Sequence, residues 1–184
     1  MKAADQRVSY ADLERWPDDG RRYELYDGEV FVVPSPLPLH QIAAARLYDF
    51  LSDYCRRHGG IVLFAPLDIV LTEYDVVQPD VLLFTRDRAH LVDPRKVTRH
   101  QPDLAIEILS PGTAGNDRGR KKRLLAQHAV REYWLADPEA PSIEMCVLAN
   151  DALELAHAAR GAEPIRSQLL PELTFRPVDL IAWQ

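Results

Sequence analysis

Apolar positions Ala43, Leu47, Phe50 and Tyr54 recur at helical spacing from Leu39 until His58-Gly59-Gly60, and this predicts a long amphipathic helix over Leu39–His58. Ahead of it, Arg22–Tyr26 and Glu29–Val33 read as strands joined at Asp27-Gly28, a dipeptide suited to a tight hairpin turn. Ser9–Trp16 forms a short helix before them, and the segment with Pro34, Pro36 and Pro38 stops the second strand. Beyond the long helix, Ile61–Leu71 alternates, Thr72–Asp75 turns and Val76–Phe84 returns, so a second, longer hairpin is expected. Asp103–Leu109 is nearly continuously apolar and of strand length, the pattern of a central strand buried on both faces. Pro111–Gly115 is a loop, and Asn116 or Asp117 is placed to cap a helix running to about His128. Glu132–Ala136 and Ile143–Leu148 follow as strands around Asp137-Pro138. Ala152–Gln184 reads as further short strands and turns, with Leu170–Phe175 near its end. Helices and strands interleave throughout, which points to a mixed α/β fold.

The chain of 184 residues is 47% hydrophobic, enough for one domain, residues 1–184, with a sizeable core. Its prolines punctuate short elements and do not gather into a linker. The 28 acidic against 22 basic residues give a net charge of -6, so no general attraction draws the chain to a polyanion. A local field can still differ, because carboxylates that hold a divalent cation change sign when the metal arrives. Cys55 and Cys146 are too few and too far apart for a disulfide framework or a cysteine zinc site, which fits a reducing compartment. Met1–Tyr10 lacks the apolar stretch of a signal peptide and no apolar run approaches the ~18 residues of a membrane span, so a cytoplasmic protein without membrane contact is expected.

Three residues carry candidate chemistry. Asp80 follows Pro79 in the strand Val76–Phe84, sharing a face with Leu82 and Phe84, so its carboxylate is expected to be partly buried; the other reading is a surface acid at an edge. Glu107 lies among Leu104, Ala105, Ile106, Ile108 and Leu109, where an unpaired charge raises its own pKa or demands a cation; a structural ion pair is the competing reading. Lys121 sits in the basic run Arg118–Arg123, normally a solvated face, but Leu124 and Leu125 lie three and four residues on, so Lys121 shares the apolar stripe where Lys122 does not. From that inner face it can reach Glu107. Two carboxylates fixing a divalent ion and a cation steadying water or charge are what phosphodiester cleavage needs. Oxygen ligands favour Mg²⁺, with Mn²⁺ as a substitute.

These residues resemble a known family. Pro79-Asp80 followed by Glu107-Ile-Leu109 resembles the PD-(D/E)XK nuclease superfamily. More narrowly, Tyr23–Glu29, His40-Gln41, Val77–Asp80, Glu107–Pro111, Asp117 with Lys121, and Glu132–Asp137 are similar to Uma-type restriction-endonuclease-like proteins of bacteria, across nearly the whole chain. The resemblance implies a restriction-endonuclease-like core, a mixed central β-sheet flanked by helices, with Asp80 and Glu107 as metal ligands and Lys121 completing the site from the following helix. It also places Glu24 and His40 in family motifs, as secondary candidates for substrate or water binding; an exposed strand carboxylate and a core or cap histidine are the competing readings. Leu109 stands where the superfamily pattern has Lys, and Leu125 and Ala129 stand where the narrower family shows Tyr and Gly.

The expected activity is that of a Mg²⁺-dependent DNA endonuclease, with the Ile108 carbonyl as an extra metal ligand. Two alternatives stay open: a nuclease relic that binds DNA or a protein without cutting, and a metal-dependent hydrolase of small phosphate esters. A homodimer follows only by analogy with nucleases that address two strands. Glu29, Asp68 and Asp103 read as structural, Trp16, Trp134 and Trp183 as core packing, and Arg118, Arg120, Lys122 and Arg123 as candidates for phosphate contact.

Overall fold

A computed structural model describes residues 7–182. Strands β1 (Arg22–Tyr26) and β2 (Glu29–Val33) pair antiparallel around Asp27 and Gly28, whose φ values of 52° and 79° match the left-handed turn that suits a twisted hairpin. Glycine is required twice at position 28, since a Cβ there would also lie 2.6 Å from Arg7 Cβ. The next four strands are β3 (Ile61–Phe64), β4 (Ile69–Thr72), β5 (Asp75–Val77) and β6 (Val81–Phe84). They hold the expected pairing partners but not two unbroken strands. β4 pairs β5 within a four-stranded sheet ordered β2-β1-β5-β4, whereas β3 pairs β6 at the edge of a second sheet. Pro66 and Pro79 lie in the two breaks; neither has an N–H to continue a ladder, so the double strand folds across from one sheet to the other. The Ala65 N–H to Asp80 carbonyl bond, 3.0 Å, ties the crease.

β7 (Leu104–Ile108), β8 (Glu132–Asp137), β9 (Ser142–Ala149) and β10 (Ala152–Arg160) complete a six-stranded mixed sheet ordered β10-β9-β8-β7-β6-β3, with β7 and β8 parallel. β9 and β10 join through Asn150 and Asp151, both left-handed at φ 47° and 67°. After a short α1 (Tyr10–Leu13), the long α2 (Pro38–His58) buries Ala43, Leu47 and Leu51 on one face of the six-stranded sheet, against Leu104, Ile106 and Ile108. The opposite face meets Leu124 and Leu125 and, from the smaller sheet, Tyr26 and Val77. Along β7, side chains alternate between these layers, which turns Glu107 away from α2 and toward the smaller sheet.

The second helical segment differs from expectation. It opens as α3 (Ala114–Asn116), passes through a π-helical turn over Asp117–Lys121, and continues as α4 (Lys122–Gln127). Neither Asn116 nor Asp117 caps it, because the turn begins earlier, with the Ala114 N–H bonded to the Ser110 carbonyl. Both side chains point inward instead. Residues 170–175 form no strand, yet Leu170, Leu173 and Phe175 pack into the core beneath α2. Glu132 anchors this tail by accepting from Ser167 Oγ and the Gln168 and Leu169 amides at 2.6 to 2.8 Å. Trp134 is fully buried, but Trp16 is 39% exposed and set edge-on to Tyr23, and Trp183 lies outside the described residues. Asp103 is structural as expected, fully buried while accepting from Thr85 and Arg88. No helix among the described residues is long and apolar enough to cross a membrane.

Candidate active site

Glu107 has a cation beside it. Lys121 Nζ lies 3.0 Å from Glu107 Oε1, 2.8 Å from Glu24 Oε1 and 3.7 Å from Asp117 Oδ1, and all four side chains are at most 5% exposed. The apolar stripe explains how the ammonium comes inside: Leu124 and Leu125 bury the same helix face against the sheet. Lys121 pairs with Glu107 without aligning a hydrogen bond to it, so Glu107 Oε1 has a nearby charge but no donor.

Glu24 is 1% exposed, so the exposed-strand reading fails. Both its oxygens are engaged: Oε1 by Lys121 and the Gln78 amide at 2.8 Å, Oε2 by the Tyr26 hydroxyl at 2.7 Å. Tyr26 in turn accepts from Asn116 Nδ2 at 2.8 Å, and Arg120 covers its ring while donating to Glu29 and to the Tyr26 carbonyl. The sequence names Asp117 only as a cap and as a family match, and Tyr26 and Gln78 only inside the matching stretches Tyr23–Glu29 and Val77–Asp80; none of the three is a site candidate there. Asp117 carries a usable signal, since it stands four residues before Lys121 on one helix face, and so does Tyr26, two residues after Glu24 on one strand face.

Asp80 lies at the crease, not inside a continuous strand with Leu82 and Phe84. It is 8% exposed, which removes the surface-edge reading. Asp80 Oδ2 accepts from the Ile108 amide at 2.8 Å, the residue next to Glu107, and lies 3.0 Å from His40 Nε2. His40 Nδ1 is buried without a partner. The five sequence candidates Glu24, His40, Asp80, Glu107 and Lys121 therefore line one cavity of about 320 Å³, together with Asp117 and Gln78. Four buried polar atoms that lack a partner, on His40, Gln78, Glu107 and Asp117, belong to its walls.

Burial pushes the Glu107 carboxyl well above the usual carboxylate range; Lys121 opposes this, while Asp117, Asp80 and Glu24 add to it. Burial raises Asp117 too. Desolvation alone would lower Lys121, but Glu107, Glu24, Tyr26 and Asp117 outweigh it and hold the ammonium charged well beyond the ordinary lysine range. Three carboxyls thus face one ammonium, with Asp80 in the same cavity, and Glu107 is the acid most in need of a proton or a second cation. The donor set is oxygen-rich and suits a hard cation. Among the described residues no group of three or more His, Cys, Asp or Glu side chains is placed to hold a metal ion by itself. Of the basic run, Arg118 pairs with Glu144 and Arg120 with Glu29, so two of the four expected phosphate contacts are spent on protein acids.

Residues 10–180 match the model of the Uma2 family, described as putative restriction endonucleases. The chain belongs to this family. All six acidic and basic site residues of this Uma2-family chain fall within the matched region. It is 25% identical to an uncharacterized protein of Synechocystis sp. over 146 residues, 76% of this chain and 73% of that protein. Its fold is that of a putative nuclease belonging to DUF820 from Anabaena variabilis, with a TM-score of 0.79, 16% identity, and coverage of 96% and 98% of the two chains. A restriction-endonuclease-like fold of the Uma2 type is thereby shown.

Proposed function

We propose that the protein is a Mg²⁺-dependent DNA endonuclease that hydrolyses phosphodiester bonds. The observation that carries this reading is the Lys121 ammonium lodged between Glu24 and Glu107 on the floor of a carboxylate-lined cavity, with Glu107 and Asp117 oxygens left without donors. Asp80 and Glu107 would hold the metal, with Mn²⁺ as a substitute and the Ile108 carbonyl as an extra ligand. When bound, the ion supplies Lewis-acid polarisation of a phosphate oxygen and a source of nucleophile at neutral pH.

The chain's own groups do the positioning. His40 and the Ile108 amide fix the Asp80 carboxylate, so its orientation does not depend on the substrate. Lys121, held by Glu24, offers a pre-set positive charge to the reacting phosphate, the kind of donor whose removal costs about 10²- to 10³-fold in rate. Glu24 acts through Lys121 and contacts no substrate, because protein donors occupy both its oxygens. The low exposure of the floor keeps bulk water from screening these charges.

Calorimetric titration of Mg²⁺ and Mn²⁺ into wild type and Glu107→Gln, with nicking of supercoiled plasmid in the same buffers, tests the reading. Metal binding and nicking in wild type, both lost in the variant, is the expected result. A second reading has its own support: the Glu24–Lys121–Glu107 group is a closed ion-pair set, which suits a nuclease-derived module that binds without cutting. Absence of metal binding in wild type would select it.

A further inference from the structure

A second cavity, of about 380 Å³, opens beside the first and shares Arg22, Pro36, His40 and Asp80 with it. Its floor is one stripe of α2, where Ala44 and Ala45 leave space that larger side chains would fill. Its wall is Phe64, 56% exposed and set edge-on to Tyr48 with ring centroids 5.0 Å apart. A large aromatic left in water at the mouth of a cavity is out of keeping with a chain that buries its other phenylalanines more fully. Gln41 and Asp49 add polar groups at the edge.

Two further observations restrict what fits. The acids of the proposed cleavage site are at most 8% exposed, so a phosphate must descend between the walls to reach them, which an unpaired strand does more readily than a duplex. Apart from Lys121, Arg22 is the one arginine or lysine lining either cavity among the described residues. Duplex binding rests on many phosphate contacts, whereas single strands gain much of their affinity from bases stacked on aromatic rings.

We propose that the Tyr48–Phe64 cavity receives the base of an unpaired DNA nucleotide whose phosphate lies at the Asp80–Glu107 end, so that the substrate is single-stranded or locally unpaired DNA. This rests on the nuclease reading and names its substrate class. Arg22, at the junction of the two cavities, faces the linking phosphate. Base and phosphate occupy adjoining spaces that meet at His40 and Asp80, two of the four residues common to both.

The test uses the full-length protein with Ca²⁺ in place of Mg²⁺ and a fluorescently labelled oligodeoxynucleotide of roughly 12 nucleotides, as a single strand and as its duplex. Wild type should bind the single strand more tightly than the duplex. Phe64→Ala, a change at an exposed side chain, and the Tyr48→Ala, Phe64→Ala double variant should weaken single-strand binding about five- to hundredfold, with duplex binding unchanged. A 2-aminopurine base in the strand should be quenched by wild type and not by the double variant. Equal or tighter duplex binding, or single-strand affinity and quenching that survive in Phe64→Ala, overturns the proposal. Plasmid cleavage in Mg²⁺ is read separately: cleavage that persists while the aromatic variants bind normally sinks this inference alone, and loss of metal binding in wild type sinks the nuclease reading.

Discussion

Lys121 and Glu107 set the behaviour of the site one side chain at a time. Removing the cation leaves the buried Glu24, Glu107 and Asp117 carboxyls without their counter-charge, so Lys121→Ala should cost about 3–5 kcal/mol in denaturant unfolding, besides any loss of cleavage. The pH dependence has a definite sign. Glu107 and Asp117 have folded pKa values above their ordinary 4.5 and 3.8, so the folded chain keeps protons that the unfolded chain has released. In EDTA, stability should therefore fall as pH rises above about 4.5, through the raised Glu107 value, and Glu107→Gln should flatten that decline in urea melts taken across the range. The raised Lys121 value acts in the same direction but in a different window: its contribution is intact across neutral pH and fades only above the ordinary lysine value of 10.5. Lys121 was legible in the sequence because its two leucines fix a helix face, and Glu107 because its neighbours are uniformly apolar. The reach of Asn116 across to Tyr26 is not legible, since it joins residues 90 positions apart, whereas Tyr26 stands two residues after Glu24 on the same strand face.

Among helices and strands, those with their own period and their own stop signals are legible in the sequence. α2 ends at His58 as the Gly59-Gly60 pair implies, and the Asp27-Gly28 hairpin has the predicted strands on either side. Elements decided by pairing are less legible. Alternation in Ile61–Leu71 is the same whether a strand stays in one sheet or crosses to another, so the crease at Pro66 and Pro79 was visible only as two prolines. The π-helical turn likewise leaves no mark in composition. α4 closes on Ala129, at φ 57°, a left-handed conformation that costs a residue with a Cβ about 1–2 kcal/mol. Family resemblance expects glycine there, and Ala129→Gly should stabilise the protein by about 0.5–1 kcal/mol after its own unfolded-state entropy is subtracted, measured as a higher thermal midpoint. No gain would mean that the helix end relaxes around the alanine at little cost.

At the level of the entire chain, the two sheets and the helical segment each bring part of the site. The smaller sheet brings Glu24, the larger one Glu107, the helical segment Asp117 and Lys121, and the crease Asp80. Arg120 links the helical segment to the β1–β2 hairpin through Glu29 and the Tyr26 carbonyl and ring, so Arg120→Ala should lower stability by about 1 kcal/mol and loosen Lys121 with it. Weaker Mg²⁺ affinity in that variant, despite every proposed ligand being intact, is the expected calorimetric result. The crease has a mechanical meaning as well. Asp80 is sewn to β7 by the Ile108 amide while its own strand has just left the smaller sheet, so a cation gripped there would act as a rivet through two plates. Ligand binding and the docking of the sheets would then be one event, and saturating metal at about 100 times its Kd should add about 2.7 kcal/mol to the stability of the joined body as a whole.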